Sequence, residues 1–163
     1  MHTAADFSVF LCRDELVCFE ALVDDAEFNV AIVGANYGSY NRESNRICFE
    51  ADTTGFYTIV VTATDSCGAT GKDTTVVYVQ KNQLPEVSIG NDSSVTQCEP
   101  GQICVPVVVI DENLKSVFSN FGTYDRELRT VCFTPDTNGL YILILAAEDS
   151  CGNIAADTVN LTI

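Results

Sequence analysis

Ile47-Cys48-Phe49-Glu50-Ala51-Asp52-Thr53-Thr54-Gly55-Phe56-Tyr57-Thr58-Ile59-Val60-Val61-Thr62-Ala63-Thr64-Asp65-Ser66-Cys67-Gly68 returns later in the chain. It recurs as Val131-Cys132-Phe133, Asp136-Thr137-Asn138-Gly139-Leu140-Tyr141 and Asp149-Ser150-Cys151-Gly152, without a gap and at an offset of 84 residues. A repeat of that period is one structural unit used twice. The expected domains are therefore 1–80 and 85–163, joined by a short linker at 81–84 that leads into Pro85.

Inside the repeated stretch the apolar residues alternate. Ile47 and Phe49 share one side of the chain, and Ile59, Val61 and Ala63 do the same. Period-two alternation in Val, Ile, Thr, Tyr and Phe marks half-buried strands, and helical periodicity is absent throughout. Working outward, the first unit reads as strands at 8–11, 17–23, 29–33, 46–50, 56–64 and 73–79. The second reads as strands at 86–90, 95–97, 103–110, 116–120, 128–134, 140–148 and 157–163. Gly34 to Asn45, Asp52 to Gly55 and Ser66 to Gly71 read as turns. Short strands at regular spacing predict an all-β protein of two tandem β-sandwiches. The opening strand at 86–90 has no clear counterpart in the first unit. The first sandwich is thus expected to lack its first edge strand, an edge that a strand from another subunit could cover.

The 163 residues carry a net charge of −15 with eight Lys and Arg, which excludes a basic nucleic-acid surface. No apolar run reaches membrane-spanning length. The start, Met1-His2-Thr3-Ala4-Ala5, shows no apolar signal region, which predicts a mature form or an excised fragment. Eight cysteines fall four to a unit, with no Cys-x-x-Cys and with His2 as the single histidine. That pattern argues for disulfides over zinc, and so for an extracellular or cell-surface location. One histidine near the terminus also leaves no base for a nucleophilic triad, so the chain is read as non-enzymatic.

Asp52-x-x-Gly55-x-Tyr57 and Asp136-x-x-Gly139-x-Tyr141 resemble the corner of immunoglobulin-like folds in which a tyrosine anchors a turn before the next strand. Here the Asp-to-Gly spacing is one residue longer than usual. Ile59 and Leu143 stand where antibody-type domains place a cysteine, and no Trp is present. The resemblance is instead to bacterial immunoglobulin-like surface repeats of the polycystic-kidney-disease, hyaline and cadherin-like kinds. It covers both units and implies spacers, adhesins or polymer subunits.

Within such a sandwich, Cys18 points away from Val17 and Phe19, and Cys48 points away from Ile47 and Phe49. The strands carrying them are antiparallel neighbours, so Cys18–Cys48, and by repetition Cys104–Cys132, is a feasible cross-strand disulfide on the outer face. A local pairing, Cys12–Cys18 and Cys98–Cys104, is the competing assignment. Cys67 and Cys151 lie at the far domain end. Cys67 is about 13 residues past the Asp52–Gly55 corner, roughly 43 Å of strand, whereas Cys48 is only about 20 Å before it. Cys67 therefore has no reachable partner in its own domain. In a tandem array a Cys12–Cys151 bridge would join the domains, leaving Cys67 to meet Cys98 of the next molecule in a head-to-tail contact. The same bridges in one longer repeat polypeptide, free thiols, or a hairpin pairing are the alternatives.

Asp24, Asp25 and Glu27, with Asp111 and Glu112, fall in acidic loops at the same end as Asp65 and Asp149. Together they are candidate calcium ligands, although no complete calcium motif is present; otherwise they are turn formers and solvated charges. Tyr37, Tyr40, Phe121 and Tyr124 lie in the longer connections and could stack on a sugar or a protein partner, or else cover the edge of the core. Asn91-Asp92-Ser93 and Asn160-Leu161-Thr162 match the glycosylation pattern. The expected role is structural: a filament subunit, or a segment of a repeat-built surface protein, associating head to tail. The alternative is a carbohydrate- or protein-binding module of a larger secreted enzyme or adhesin.

Overall fold

The computed structural model describes residues 2–25, 29–99 and 101–163, and the chain divides into two compact units, Met1–Asn82 and Gln83–Ile163. All regular structure among the described residues is β, and no helix is long and apolar enough to cross a membrane. The first unit contains β1 (His2–Thr3), β2 (Phe7–Leu11), β3 (Leu16–Leu22), β4 (Val30–Ala35), β5 (Ser39–Asn41), β6 (Arg46–Glu50), β7 (Gly55–Asp65) and β8 (Thr70–Lys81). One sheet has the order β1-β3-β6-β5 and the other β2-β8-β7-β4, with β2 parallel to β8.

The second unit contains β9 (Glu86–Ser88), β10 (Ser93–Ser94), β11 (Ile103–Pro106), β12 (Val108–Ile110), β13 (Leu114–Ser119), β14 (Thr123–Asp125), β15 (Thr130–Phe133), β16 (Leu140–Asp149) and β17 (Ile154–Thr162). Its sheets are β10-β17-β16-β13, β11-β15-β14 and β12-β9. The run 103–110 is two strands rather than one, interrupted at Val107 just after Pro106, which has no N–H to give to a ladder.

Each unit encloses its own core, drawn from alternate residues of both sheets as a β-sandwich requires. In the first, Ile47 and Phe49 meet Ile59, Val61, Val77 and Val79, all essentially inaccessible. In the second, Val131, Leu143, Leu145, Val159 and Leu161 play these parts. At roughly 1.5–3 kcal/mol for each fully buried large apolar side chain, these residues are the main source of each unit's stability.

The expectation that the first sandwich lacks its opening strand is corrected. His2 and Thr3 form β1, paired with Leu22 and Ala21 of β3. Two residues are too few for alternation to reveal them. A carboxylate holds them instead: Asp73 Oδ2 accepts the Thr3 backbone N–H at 2.7 Å and the Thr3 hydroxyl at 3.0 Å. The second unit repeats the device, with Ile89 N–H donating to Asp157 Oδ2 at 2.9 Å. The strand expected at 95–97 is also displaced. Pairing lies at Ser93–Ser94, parallel to β17, and ends where Val95 N–H donates to the Thr162 carbonyl.

β5 and β14 stand in connections read as turns. Each runs beside the cysteine-bearing strand, with Ser39 opposite Cys48 and Thr123 opposite Cys132. The chain reaches that position through Gly38 and Gly122, both at positive φ (83° and 69°). A Cβ at either would run into the carbonyl oxygen of Cys48 or Cys132. Only glycine meets both the left-handed conformation and the close approach. The first unit closes at Asn82, beyond the expected 80: Lys81 N–H donates to Thr54 Oγ1 and Asn82 N–H to the Leu11 carbonyl.

Candidate functional site

The chemistry that stands out is carried by cysteines. Cys18 and Cys48 face each other directly across β3 and β6, and their Cα atoms are 4.1 Å apart in a disulfide. Cys104 and Cys132 do the same across β11 and β15 at 4.0 Å. Both bridges lie on the side of the sheet opposite the core, because their strand neighbours Val17, Phe19, Ile47 and Phe49 are buried. They fasten a strand pair whose register the apolar pattern already specifies. Cys67 and Cys98 are free and exposed; Cys12 and Cys151 are not free.

Cys67 and Cys151 occupy matching turns, each built by an aspartate. Asp65 Oδ1 accepts the backbone N–H groups of Cys67 and Ala69, both at 2.8 Å. Asp149 Oδ1 accepts those of Cys151 and Asn153 at 2.9 and 2.8 Å, while its Oδ2 accepts from Asn153 Nδ2 at 2.8 Å. Gly68 and Gly152 complete the turns at φ of 89° and 85°. The turns are also tied back into their own domains: Ser66 N–H donates to the Asn29 carbonyl, and Ser150 N–H and Oγ both donate to that of Asn113. Asp111 in turn fixes Asn113 by accepting its N–H at 2.8 Å. These bonds are what give each tip cysteine a set direction.

At the opposite end of each domain is the tyrosine corner. The Tyr57 hydroxyl donates to the Thr53 carbonyl at 2.9 Å and accepts from the Thr53 N–H at 3.0 Å. The Tyr141 hydroxyl accepts from the Thr137 N–H at 3.1 Å, and its single proton faces both Asp136 Oδ1 at 2.7 Å and the Thr137 carbonyl at 2.9 Å. The bond to Asp136 holds that carboxyl below its usual range. Gly55 opens β7, and Gly139 immediately precedes β16. In the second domain Cys98 shares a shallow groove with Pro135, Asp136, Thr137 and Asn138 of this corner. The ten-residue β16, roughly 33 Å long, separates that corner from the turn of Cys151. In the first domain the eleven-residue β7, roughly 36 Å, separates the equivalent corner from Cys67. Beside that corner Lys81 Nζ meets Asp14 Oδ1 at 2.6 Å, a bond that raises the lysine's pKa.

The candidate calcium ligands fall on several turns. Asp65, Asp111 and Asp149 each accept backbone N–H groups in their own turns, leaving those oxygens engaged. Asp24 and Asp25 follow β3 and line an open groove with Tyr40 and Arg42. Glu112 is exposed beside Asp111, and Glu27 lies outside the described residues. Among the described residues no group of three or more His, Cys, Asp or Glu side chains is placed to hold a metal ion. His2 Nδ1 lies 3.8 Å from Asp73 Oδ2.

The aromatic residues of the longer connections turn inward. Tyr37 packs on Phe49 and Tyr57 with ring centroids at 5.7 and 5.6 Å, and Phe121 packs on Phe133 and Tyr141 at 5.8 and 5.5 Å. Partial burial, with Asp52 close by, raises the Tyr37 pKa. Tyr40 and Tyr124 pack against their cores. These rings cover the edges of the two cores. Of the two glycosylation patterns, Asn91 is exposed and Asn160 is engaged by both oxygens of Asp92.

No protein-family model matches the sequence, and no curated protein does. Solved structures do. The chain is similar to the extracellular domain of Protocadherin GammaB4, at 16% identity and a TM-score of 0.61, covering 98% of this chain and 31% of that one. It is similar to Drosophila N-cadherin EC1-4, at 13% and 0.58, with 96% and 47% covered. It is also similar to an I-band fragment of titin, at 13% and 0.54, with 99% and 64% covered. The chain spans about a third to two thirds of the length of these structures. At such identities the likeness is one of fold: two consecutive immunoglobulin-type β-sandwich modules.

Proposed function

We propose that this chain is a non-enzymatic extracellular structural protein, a subunit of a head-to-tail filament or a segment of a repeat-built cell-surface protein of the bacterial immunoglobulin-like kind. The observation that carries the reading is the pair of exposed free thiols, Cys67 in one domain and Cys98 in the other. A chain growing by one kind of bridge needs two different contact points per copy, and a Cys67–Cys98 link between copies supplies them. A Cys12–Cys151 bridge between the domains would make each subunit one covalent strut. The outer-face disulfides fit an oxidising location. Strand donation is a further route to association: among the described residues β1 pairs with Ala21 and Leu22 and Ala4 N–H donates to the Glu20 carbonyl, so a strand from another copy would take the β3 edge at 16–19.

The test is oxidation of purified protein with glutathione disulfide, which takes up the two electrons and two protons released per new S–S bond. Non-reducing electrophoresis should show a ladder that reductant collapses, with a Cys67–Cys98 peptide in the digest. Cys67→Ser should stop the ladder. A single monomer band without reductant sinks the covalent polymer.

A further inference from the structure

The two domains share a scaffold but differ on one outer face. In the first, the outward residues of β7 are Phe56, Thr58, Val60, Thr62 and Thr64; in the second, those of β16 are Leu140, Ile142, Ile144, Ala146 and Glu148. The intervening residues Leu143, Leu145 and Ala147 are fully buried, so the apolar outward row is not the core. Register extends the row sideways: Phe118 of β13 lies opposite Ala146, and Ile154 of β17 lies opposite Glu148. Leu140 is 63% exposed, Ile142 47%, Ile144 41%, Phe118 56% and Ile154 66%. The matching face of the first domain carries Thr58, Thr62 and Thr64, with Phe56 and Ile32 exposed toward its ends, so this fold does not require a continuous large aliphatic row there; threonine satisfies strand propensity and stays hydrated.

We infer that this face, formed by β13, β16 and β17, is a self-association surface on which a second copy of the chain packs the same face about a two-fold axis. Two features select a second copy. The first is area. At about 200 Å² for a large apolar side chain, the five exposed residues present roughly 500 Å². A standard interface covers about 800 Å² per partner, a little over half of it apolar, so the patch has the size one such interface needs. The second is charge. A chain of net charge −15 repels its own copies, and contact is favoured where that repulsion is least. On the outward positions of these three strands Glu148 is the one carboxylate, and Lys115 Nζ meets it at 2.6 Å, so those positions are formally neutral and Asp92 at the rim is the one uncompensated charge beside them. That ion pair also keeps the Glu148 carboxyl below its usual range. Thr158 and Thr162 supply hydrogen-bonding groups along one side, with Asp92 at the rim, bound to Asn160. Two such sheets stack face to face at about 10 Å, the ordinary sandwich spacing.

This association does not depend on the thiols, and it is tested without them. The Cys67→Ser/Cys98→Ser variant, in non-reducing buffer so that Cys18–Cys48 and Cys104–Cys132 stay closed, is followed by sedimentation equilibrium to a few hundred micromolar. A reversible dimer is expected. Adding Ile142→Lys and Ile144→Lys should weaken it at least tenfold, and Phe56→Lys on the first domain should leave it unchanged. Should the double lysine variant fail to fold, Ile142→Thr, the residue the first domain uses, gives the same comparison at a smaller effect. A monomer at every concentration, or a lysine variant that dimerises as tightly as its parent, overturns the assignment.

Discussion

Removing the Cys18–Cys48 bridge offers a quantitative check on how these small domains are held. The bond joins residues 30 apart, and its partner Cys104–Cys132 joins residues 28 apart. Both sulfurs lie on the outer face, so replacing the pair with alanine leaves Ile47, Phe49, Val17 and Phe19 packed as before. The expected loss is therefore almost entirely the crosslink. Loop-closure entropy for a loop of about 30 residues gives about 3.6 kcal/mol at 25 °C. A domain of this size has a total stability of about 4–12 kcal/mol, so one bridge carries a large share of it. Cys18→Ala/Cys48→Ala removes both thiols and leaves no new one to exchange with Cys67 or Cys98. Urea unfolding should move the first domain's transition down by about 3.6 kcal/mol and leave the second's in place. Cys104→Ala/Cys132→Ala should cost the second domain the same within about 0.1 kcal/mol, because the logarithm of loop length barely changes between the two. A loss below about 1 kcal/mol in either domain, or a difference above about 1 kcal/mol between them, would refute the entropic account.

The tyrosine corners give a second comparison. Tyr57→Phe removes a hydroxyl bonded to one residue's backbone and should cost about 1 kcal/mol. Tyr141→Phe also strips Asp136 of its partner and should cost its domain more; denaturant unfolding that ranks Tyr57→Phe as the costlier change contradicts the corner geometry. The third prediction concerns acid. Backbone N–H donation from Thr3 and Thr74, then the Thr3 hydroxyl, hold Asp73 below the usual carboxylate pKa. A depressed folded pKa means that the contribution is complete above the unfolded value of about 4 and is lost as pH falls through the lower, folded value. In a His2→Ala background, which removes the imidazole 3.8 Å from Asp73, the melting-temperature advantage of Asp73 over Asp73→Asn should be constant above about pH 5 and shrink below about pH 4. An advantage that grows on acidification would show that Asp73 does not anchor β1.

What was legible in the sequence was whatever the core dictates. Alternation at Arg46–Glu50 located β6 to the residue, and the same alternation set Cys18 and Cys48 on the outer face. Features held by single polar contacts or by backbone conformation were not legible. β1 escapes notice because two residues cannot show a period; its anchor is Asp73, some seventy residues away. β5 and β14 escape because their pairing depends on Gly38 and Gly122, and a glycine amid Asn, Ser and Tyr reads as a loop. The aspartates of the Cys67 and Cys151 turns can be read as turn formers or as calcium ligands. Their choice of backbone N–H partners is a matter of geometry that residue type does not carry.

The outer face of the second domain was hidden for a different reason. Threonine, valine and isoleucine all suit a strand, so Thr58 and Ile142 satisfy the same alternation although one faces water comfortably and the other does not. Only burial separates the inward Leu143 from the outward Ile142 and Ile144, and only register adds Phe118 and Ile154 to them. A tandem repeat makes that difference informative. Both copies must satisfy the same core, so inward positions vary mostly within apolar types, as Val61 and Leu145 do, and the exception, Thr75 where the second domain has Val159, has its hydroxyl bonded to the Ala4 carbonyl. Outward positions carry no such constraint from folding. A row of three large aliphatic residues there, in the domain whose twin does without it, therefore calls for a partner rather than a packing explanation. The same logic applies to Cys67 and Cys98. Each is exposed and contributes nothing to its core, and each sits at a repeat position whose counterpart, Cys151 or Cys12, is not free. The repeat thus shares its interior, and its two copies differ at the surface, which is where the proposed contacts lie.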